Sequence, residues 1–167
     1  MLVLSVHERE FSASHTAVGA LIDTLASSND RMWPLGKWPP MHFDRSLAVG
    51  AAGGHGPVHY SVEEYQPSNR IVFSFSAPRG FNGTHRFEIE ERQGKTVLRH
   101  VIEMCAEGPA LLSWPLIFRP LHDACLEDCL DRATLCLGIA LTHPARWSPY
   151  VRLLRAVMRA VSRPARR

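Results

Sequence analysis

What the chain lacks narrows it first. No apolar run approaches the ~20 residues that a bilayer-spanning helix needs. The opening MLVLSVHERE has no basic leader, and charge interrupts it from Glu8 onward. The expectation is an unexported, cytoplasmic chain whose thiols stay reduced. Cysteine is sparse: four residues, at 105, 125, 129 and 136, with no CxxC pair. That argues against a disulfide framework and against a structural zinc site. Gly50, Gly53, Gly54 and Gly56 lie between two expected strands with no helix to receive a phosphate, so no dinucleotide fingerprint is present. No Ser–His–Asp ordering is legible. Acid is missing from residues 143–167, which carry seven of the 19 basic side chains, leaving 12 against all 16 acids in residues 1–142. A mildly acidic body thus precedes a strongly basic tail, and an acidic partner would suit the tail rather than the body.

What is present fits one sizeable core: 167 residues, 46% apolar and 21% charged. VLSVHEREF (3–11) reads as a first strand. Val18, Leu21, Ile22 and Leu25 recur at helical intervals, with Ser14 or Thr16 available as a cap. A second short helix or turn is expected around Asn29–Trp33, followed by the irregular, proline-rich WPLGKWPPMHF. From Ser46 the pattern turns to strands: SLAVGAA, then GGHG as a turn, then PVHYSVEEY, RIVFSFSA, GTHRFEIEER and KTVLRHVIEMCAE. A two-residue loop at Gln93–Gly94 sets Glu88 opposite Arg99, Phe87 opposite His100, Ile89 opposite Leu98 and His85 opposite Ile102. Counting about Pro67–Ser68 sets Val62 opposite Phe73 and Tyr60 opposite Phe75. One face of this meander is aromatic and aliphatic and needs a cover.

The expected cover is the segment Ala110–Gly138. Trp114, Phe118, Leu121, His122, Cys125, Cys129 and Ala133 form one helical stripe. Pro115 and Pro120 should kink its start, and Asp123, Glu127, Asp128, Asp131 and Arg132 should lie largely on the wet side. His122, Cys125 and Cys129, at offsets of three and four, could in principle hold a metal with His100 or Cys105. Packing is the better reading, because small apolar thiols suit a buried helix face. No metal and no nucleotide cofactor is expected.

This order of elements resembles the helix-grip fold of the SRPBCC superfamily, which includes START lipid-transfer domains, pollen-allergen proteins and polyketide cyclases. The local echoes are VEEYQPSNRIVFSF and FRPLHDACLEDCLDRA, and the resemblance covers roughly residues 3–138. It implies an α+β helix-grip fold: a curved antiparallel sheet of about six strands wrapped around a long C-terminal helix, with two short helices after strand 1; the extra C-terminal amphipathic helix expected from the tail lies outside the common pattern. Residues 1–142 would form the ligand-binding domain and 143–167 the tail. It further implies a hydrophobic cavity between sheet and helix, but fold alone assigns no activity.

Within that cavity the expected lining is Tyr60, Val62, Glu64, Phe73, Phe75, His85, Phe87, His100, Met104, Trp114, Phe118 and His122. Two histidines, a tyrosine and a carboxylate are costly in a dry core, and a lined cavity accounts for them better. The first functional expectation is binding, with transport as an extension, of a hydrophobic small molecule: a lipid, a polyketide-like or an isoprenoid compound. The second is a cyclase- or dehydratase-type enzyme with His100 as base and His85 or Tyr60 assisting. APRGFNG (77–83) reads as a loop with an apolar tip at Phe81 that either gates the pocket or merely connects strands. The tail reads as a basic amphipathic helix, with Trp147, Tyr150, Arg152, Arg155, Arg159 and Arg163 as its contact residues. It would pack on its own domain, dock a protein partner or lie on an anionic membrane. Nucleic acid ranks last, because the body is acidic and its outer face lacks an aromatic platform.

Overall fold

The computed structural model describes residues 1–161. Seven antiparallel strands form one sheet in the order β1-β7-β6-β5-β4-β3-β2. The strands are β1 (Leu2–Phe11), β2 (His42–Phe43), β3 (Ala52–His55), β4 (Val58–Gln66), β5 (Arg70–Ala77), β6 (Phe81–Arg92) and β7 (Lys95–Ala106). The helices are α1 (His15–Ile22), α2 (Ala110–Ser113), a π-helical turn (Trp114–Phe118), α3 (Arg119–Cys136) and α4 (Pro149–Val161). This is the α+β helix-grip arrangement, with α2, the π-turn and α3 making one continuous rod against the sheet.

The β6–β7 hairpin follows from its turn. Gln93 and Gly94 both take positive φ (52° and 74°), the two-residue geometry whose twist matches paired strands. Arg92 therefore faces Lys95, and His85, Phe87 and Ile89 face Ile102, His100 and Leu98. The β4–β5 pair reaches the expected Val62–Phe73 and Tyr60–Phe75 partners by another route. Its loop has three residues, not two, and a bulge at Glu63 restores the register beyond it. The correction falls on Glu64. The bulge turns it off the inner face, where it pairs with Arg70 instead of entering the core.

Three further expectations change. SLAVGAA is not a strand. The strand is Ala52–His55, running through the glycines read as a turn. A Cβ on Gly53 would lie 1.9 Å from the His42 carbonyl oxygen, and one on Gly54 (φ 152°) would lie 2.1 Å from that of Val58. The glycines thus permit close strand approach. The second short helix is absent. Asp30 gathers the N–H groups of Ala26, Met32 and Trp33 at 2.7–2.9 Å, which closes this stretch as a loop. Between β1 and β2 only α1 forms, capped by Ser14, whose Oγ accepts from the Ala17 N–H.

The wet side assigned to α3 is also partly dry. Asp128 and Asp131 are buried. The sheet covers one flank of α3, and the Lys37–Trp38 loop and the tail cover another. The kink expected from Pro115 and Pro120 takes the form of the π-turn, closed by the Arg119 N–H to the Trp114 carbonyl. The rod ends at Gly138 (φ 75°), where the Ile139 N–H bonds back to the Thr134 carbonyl.

Candidate functional site

Between the inner face of the sheet and the rod lies a cavity. The space between its atoms, counted out into open solvent, is about 820 Å³. That is room for several waters or one compact molecule. β5, β6 and β7 contribute Phe75, Phe81, His85, Phe87, His100 and Ile102. The rod contributes Trp114, Phe118, Leu121, His122, Cys125 and Leu126. The segment between α1 and β2 adds Trp33, Trp38 and Met41, β3 adds His55, and the tail adds Arg155 and Met158. Phe81 is buried against Trp114 and Phe118 rather than standing at a loop tip, so the 77–83 segment builds wall.

Through this apolar shell runs a row of imidazoles. His85 Nδ1 lies 3.2 Å from His100 Nε2, and His100 Nδ1 lies 3.4 Å from His122 Nε2. His122 Nδ1 lies 3.2 Å from Asp123 Oδ1. The same oxygen takes His7 Nε2 at 3.1 Å, and His7 Nδ1 reaches Glu127 Oε1 at 3.1 Å. His85 and His100 are diagonal neighbours on adjacent strands, and His7 is the register partner of His100 on β1. The row therefore crosses from the interior to Asp123, whose side chain is 40% exposed. At the inner end, His85 is clamped between the rings of Phe73 and Phe75, with Tyr60 edge-on at 4.7 Å.

The electrostatics give the row a direction. Burial holds His85 and His100 well below the usual imidazole range, and the neighbouring histidines reinforce this. Burial lowers His122 as well, against the pull of Asp123. Burial would also lower His7, but its hydrogen bonds to Asp123 and Glu127 win and raise it. Burial opposes ionisation of Asp123, yet bonds from His122 and His7 hold its carboxyl well below the usual range. A carboxylate can only accept, so His122 donates through Nδ1 and its Nε2 must accept. His100 then donates through Nδ1 to His122, and His85 through Nδ1 to His100. The assignment leaves His85 Nε2 a bare lone pair. That atom is buried and bonded to nothing. Arg155 Nε, on the cavity wall, is likewise buried without a partner, as are the Nε atoms of Arg70, Arg99 and Arg132 away from it, while the Arg155 guanidinium stacks on Trp38 at 4.5 Å. An unpaired buried polar atom costs about 1–3 kcal/mol, so each calls for an explanation.

Of the twelve lining residues expected from sequence, Phe75, His85, Phe87, His100, Trp114, Phe118 and His122 lie on the cavity wall. Val62, Phe73 and Met104 pack in the core behind it. Tyr60 is also behind the wall, its hydroxyl 3.0 Å from His55 Nδ1. Burial pushes that hydroxyl well above its usual pKa and brings His55 down to about 3. Glu64 lies outside. Sequence reasoning missed His55, hidden in the glycine stretch, and Asp123, read as solvated. It also set Arg155 on an outer contact surface, whereas a folded-back tail carries it in.

His122, Cys125 and Cys129 do not assemble as a ligand set. His122 Nε2 is engaged with His100, and burial holds the Cys129 thiol up in its neutral form. The facing atoms of His7, His122 and Asp123 lie within 4.8 Å of one another and are engaged in the hydrogen bonds of the row.

In the tail, Trp147 and Arg155 face the body rather than an outside surface. The Trp147 indole donates to Asp128 at 2.8 Å, and Arg155 donates to the Lys37 carbonyl. Tyr150 is half-exposed with its hydroxyl on the Leu116 carbonyl, and Arg152 and Arg159 are exposed. Arg163 lies outside the described residues. No helix among the described residues is long and apolar enough to cross a membrane.

The fold and its cavity define a class, the helix-grip proteins. Similar solved structures agree. CalU16 from Micromonospora echinospora matches with a TM-score of 0.58 at 13% identity over 96% of this chain and 85% of its own. Norcoclaurine synthase of Thalictrum flavum, solved as a point mutant with a transition-state analogue, gives 0.58 at 14% identity over 83% and 97%. The di-domain aromatase/cyclase StfQ of the steffimycin biosynthetic pathway gives 0.60 at 11% over 82% of this chain and 51% of its own. No family model and no curated protein sequence matches. The chain shares the helix-grip fold of these proteins.

Proposed function

We propose that this chain binds a compact, hydrophobic ring compound in the cavity. The observation that carries this reading is the wall itself: seven Trp and Phe rings (Trp33, Trp38, Phe75, Phe81, Phe87, Trp114, Phe118) around a space interrupted by few polar groups. The aromatic character of the wall favours a polyketide-like or isoprenoid ring system over a long-chain lipid. The test is native mass spectrometry of the purified protein, together with titration of the bicyclic ketone 2-tetralone followed by tryptophan fluorescence. Retention of a hydrophobic ligand, or saturable quenching that a naphthalene dye reverses, supports the reading. No retained ligand and no saturable binding of either probe overturns it.

A second reading, an enzyme of the cyclase or dehydratase type, is favoured by the two unpartnered atoms of His85 and Arg155. In it the base is His85 rather than His100, because both His100 nitrogens already have partners. Tyr60 acts only indirectly, by fixing His55. The outer face of α4, where Arg152, Leu153, Val157 and Arg159 are exposed, is the surface we assign to an anionic membrane. Sedimentation with anionic liposomes should then weaken as salt rises. Salt-independent or absent sedimentation overturns that assignment.

A further inference from the structure

We propose that the His85–His100–His122–Asp123 row is a proton conduit that lets a ligand in the cavity exchange a proton with solvent, with His85 Nε2 as the receiving atom. The proposal rests on the cavity reading above and narrows its ligand to one with a removable proton beside an oxygen: a phenol, or a ketone that can form an enol. Two observations, and the tautomers they imply, carry it. The row is continuous, with spacings of 3.2, 3.4 and 3.2 Å. Its outer end is an ionised, partly exposed carboxylate and its inner end is an unbonded nitrogen of a cavity-lining ring. Each link donates through Nδ1 and accepts through Nε2, so the whole row points one way.

The step balances. A ligand C–H or O–H bond breaks, its electron pair stays on the ligand as an enolate or phenolate, and an N–H bond forms at His85 Nε2. His85 passes its Nδ1 proton to His100 Nε2, His100 passes its own to His122 Nε2, and His122 passes its own to Asp123. Asp123 releases a proton to water. Each imidazole ends neutral with its proton on the other nitrogen, so no imidazolium is left in the apolar interior. The reverse shift returns a proton to the ligand. The guanidinium of Arg155, with its free Nε, is the cation available to the ligand's anionic oxygen.

The groups facing the row come from every element around it. Tyr60 and His55 stand beside His85, Cys125 lies on the same wall, and His7 and Glu127 flank Asp123. Arg9 binds Glu127, and Arg119 lies 3.8 Å from Asp123. None of these breaks the row, and His7, bridging two carboxylates, anchors its outer end.

Two measurements test the proposal. The first needs no ligand: nitrogen NMR of the 15N-histidine-labelled full chain at neutral pH. Nδ1–H on His85, His100 and His122 is expected. His85 carrying Nε2–H overturns the proposal, whatever binds in the cavity. The second follows exchange of the α-protons of 2-tetralone in D2O, comparing wild type and Asp123→Asn at equal occupancy. Loss of at least tenfold in protein-catalysed exchange in the variant supports the conduit. Equal exchange in both proteins, or none by a wild type that binds the ketone, overturns it. Failure of the ketone to bind counts against the cavity reading, and the NMR result then decides the conduit separately.

Discussion

The rod carries two buried polar clusters on different flanks, and they are built by opposite rules. On one flank Asp128, with no side-chain exposure, receives Lys37 Nζ at 2.6 Å and the indole N–H groups of Trp38 and Trp147 at 2.8 Å each. Next to it Asp131 takes Arg9 and the Ala145 N–H, both at 2.7 Å. Each carboxylate oxygen here has a partner, and those partners come from the Lys37–Trp38 loop, β1 and the tail. On the other flank the imidazole row is satisfied at every link but its last, where His85 Nε2 has nothing. The first cluster looks like a fastening, because it is saturated and ties distant segments together. The second is a line with one open end, on a ring that lines a cavity. Buried polarity that is fully paired is accounted for by the fold, whereas an unpaired atom at the end of an ordered network calls for a further explanation.

If this contrast is correct, acid should separate the two clusters most strongly. His85, His100, His122 and His55 all have folded pKa values lowered by burial, that of His55 to about 3. A lowered histidine binds fewer protons folded than unfolded below about pH 6.5, so stability falls as pH drops through that value. The slope approaches about 1.4 kcal/mol per pH unit for each such site. His7 has the opposite sign. Its raised pKa adds stability that is fully present below the unfolded value and lost as pH rises through the folded one. Four against one leaves a net loss on going from pH 7 to pH 5, and urea titrations at a series of pH values measure it. A flat profile over that range would mean that the row is hydrated and charged, and the contrast with Asp128 would disappear.

The next largest effect belongs to the fastening. Asp128→Ala removes a fully buried carboxylate and strands two indole N–H groups, which should cost about 3 kcal/mol. For a chain of this size that lowers Tm by roughly 6–12 °C. Thermal unfolding by circular dichroism checks it. A shift under about 2 °C would show that Lys37, Trp38 and Trp147 do not hold the loop and tail through this residue.

The row was half legible in the sequence. The inward aim of His85 and His100 follows from a hairpin whose Gln93–Gly94 turn permits one register, and His122 follows from helical periodicity. Asp123 was read as solvated because periodicity reports which face is apolar, not how many neighbours cover a helix. Here the loop and tail cover a second flank, and β1 brings His7 down onto the edge. Glu64 was misplaced because a bulge has no composition of its own: Glu63 resembles any strand residue. His55 was missed because a glycine pair that lets strands approach closely reads, residue by residue, like a turn. Arg155 enters the cavity only because the tail folds back over Trp38, a long-range contact that no local pattern encodes.

The smallest expected effects give the sharpest test, because here the two clusters should part company in stability alone. Trp147→Phe keeps a ring against Trp38 but removes one donor from Asp128, which should cost about 1–2 kcal/mol. His85→Phe should cost less than about 1 kcal/mol, and the reason is a count of orphans. In the wild type the unpaired atom is His85 Nε2. In the variant that atom is gone, but His100 Nε2 loses its donor and becomes unpaired instead. The number of unsatisfied buried atoms is unchanged, and the phenyl ring keeps the stack between Phe73 and Phe75. Chemical denaturation of both variants beside wild type measures the order. If His85→Phe proves the more damaging, the imidazole row is holding the fold together as Asp128 does, and its open end is an incidental gap in packing rather than a place where a ligand meets a base.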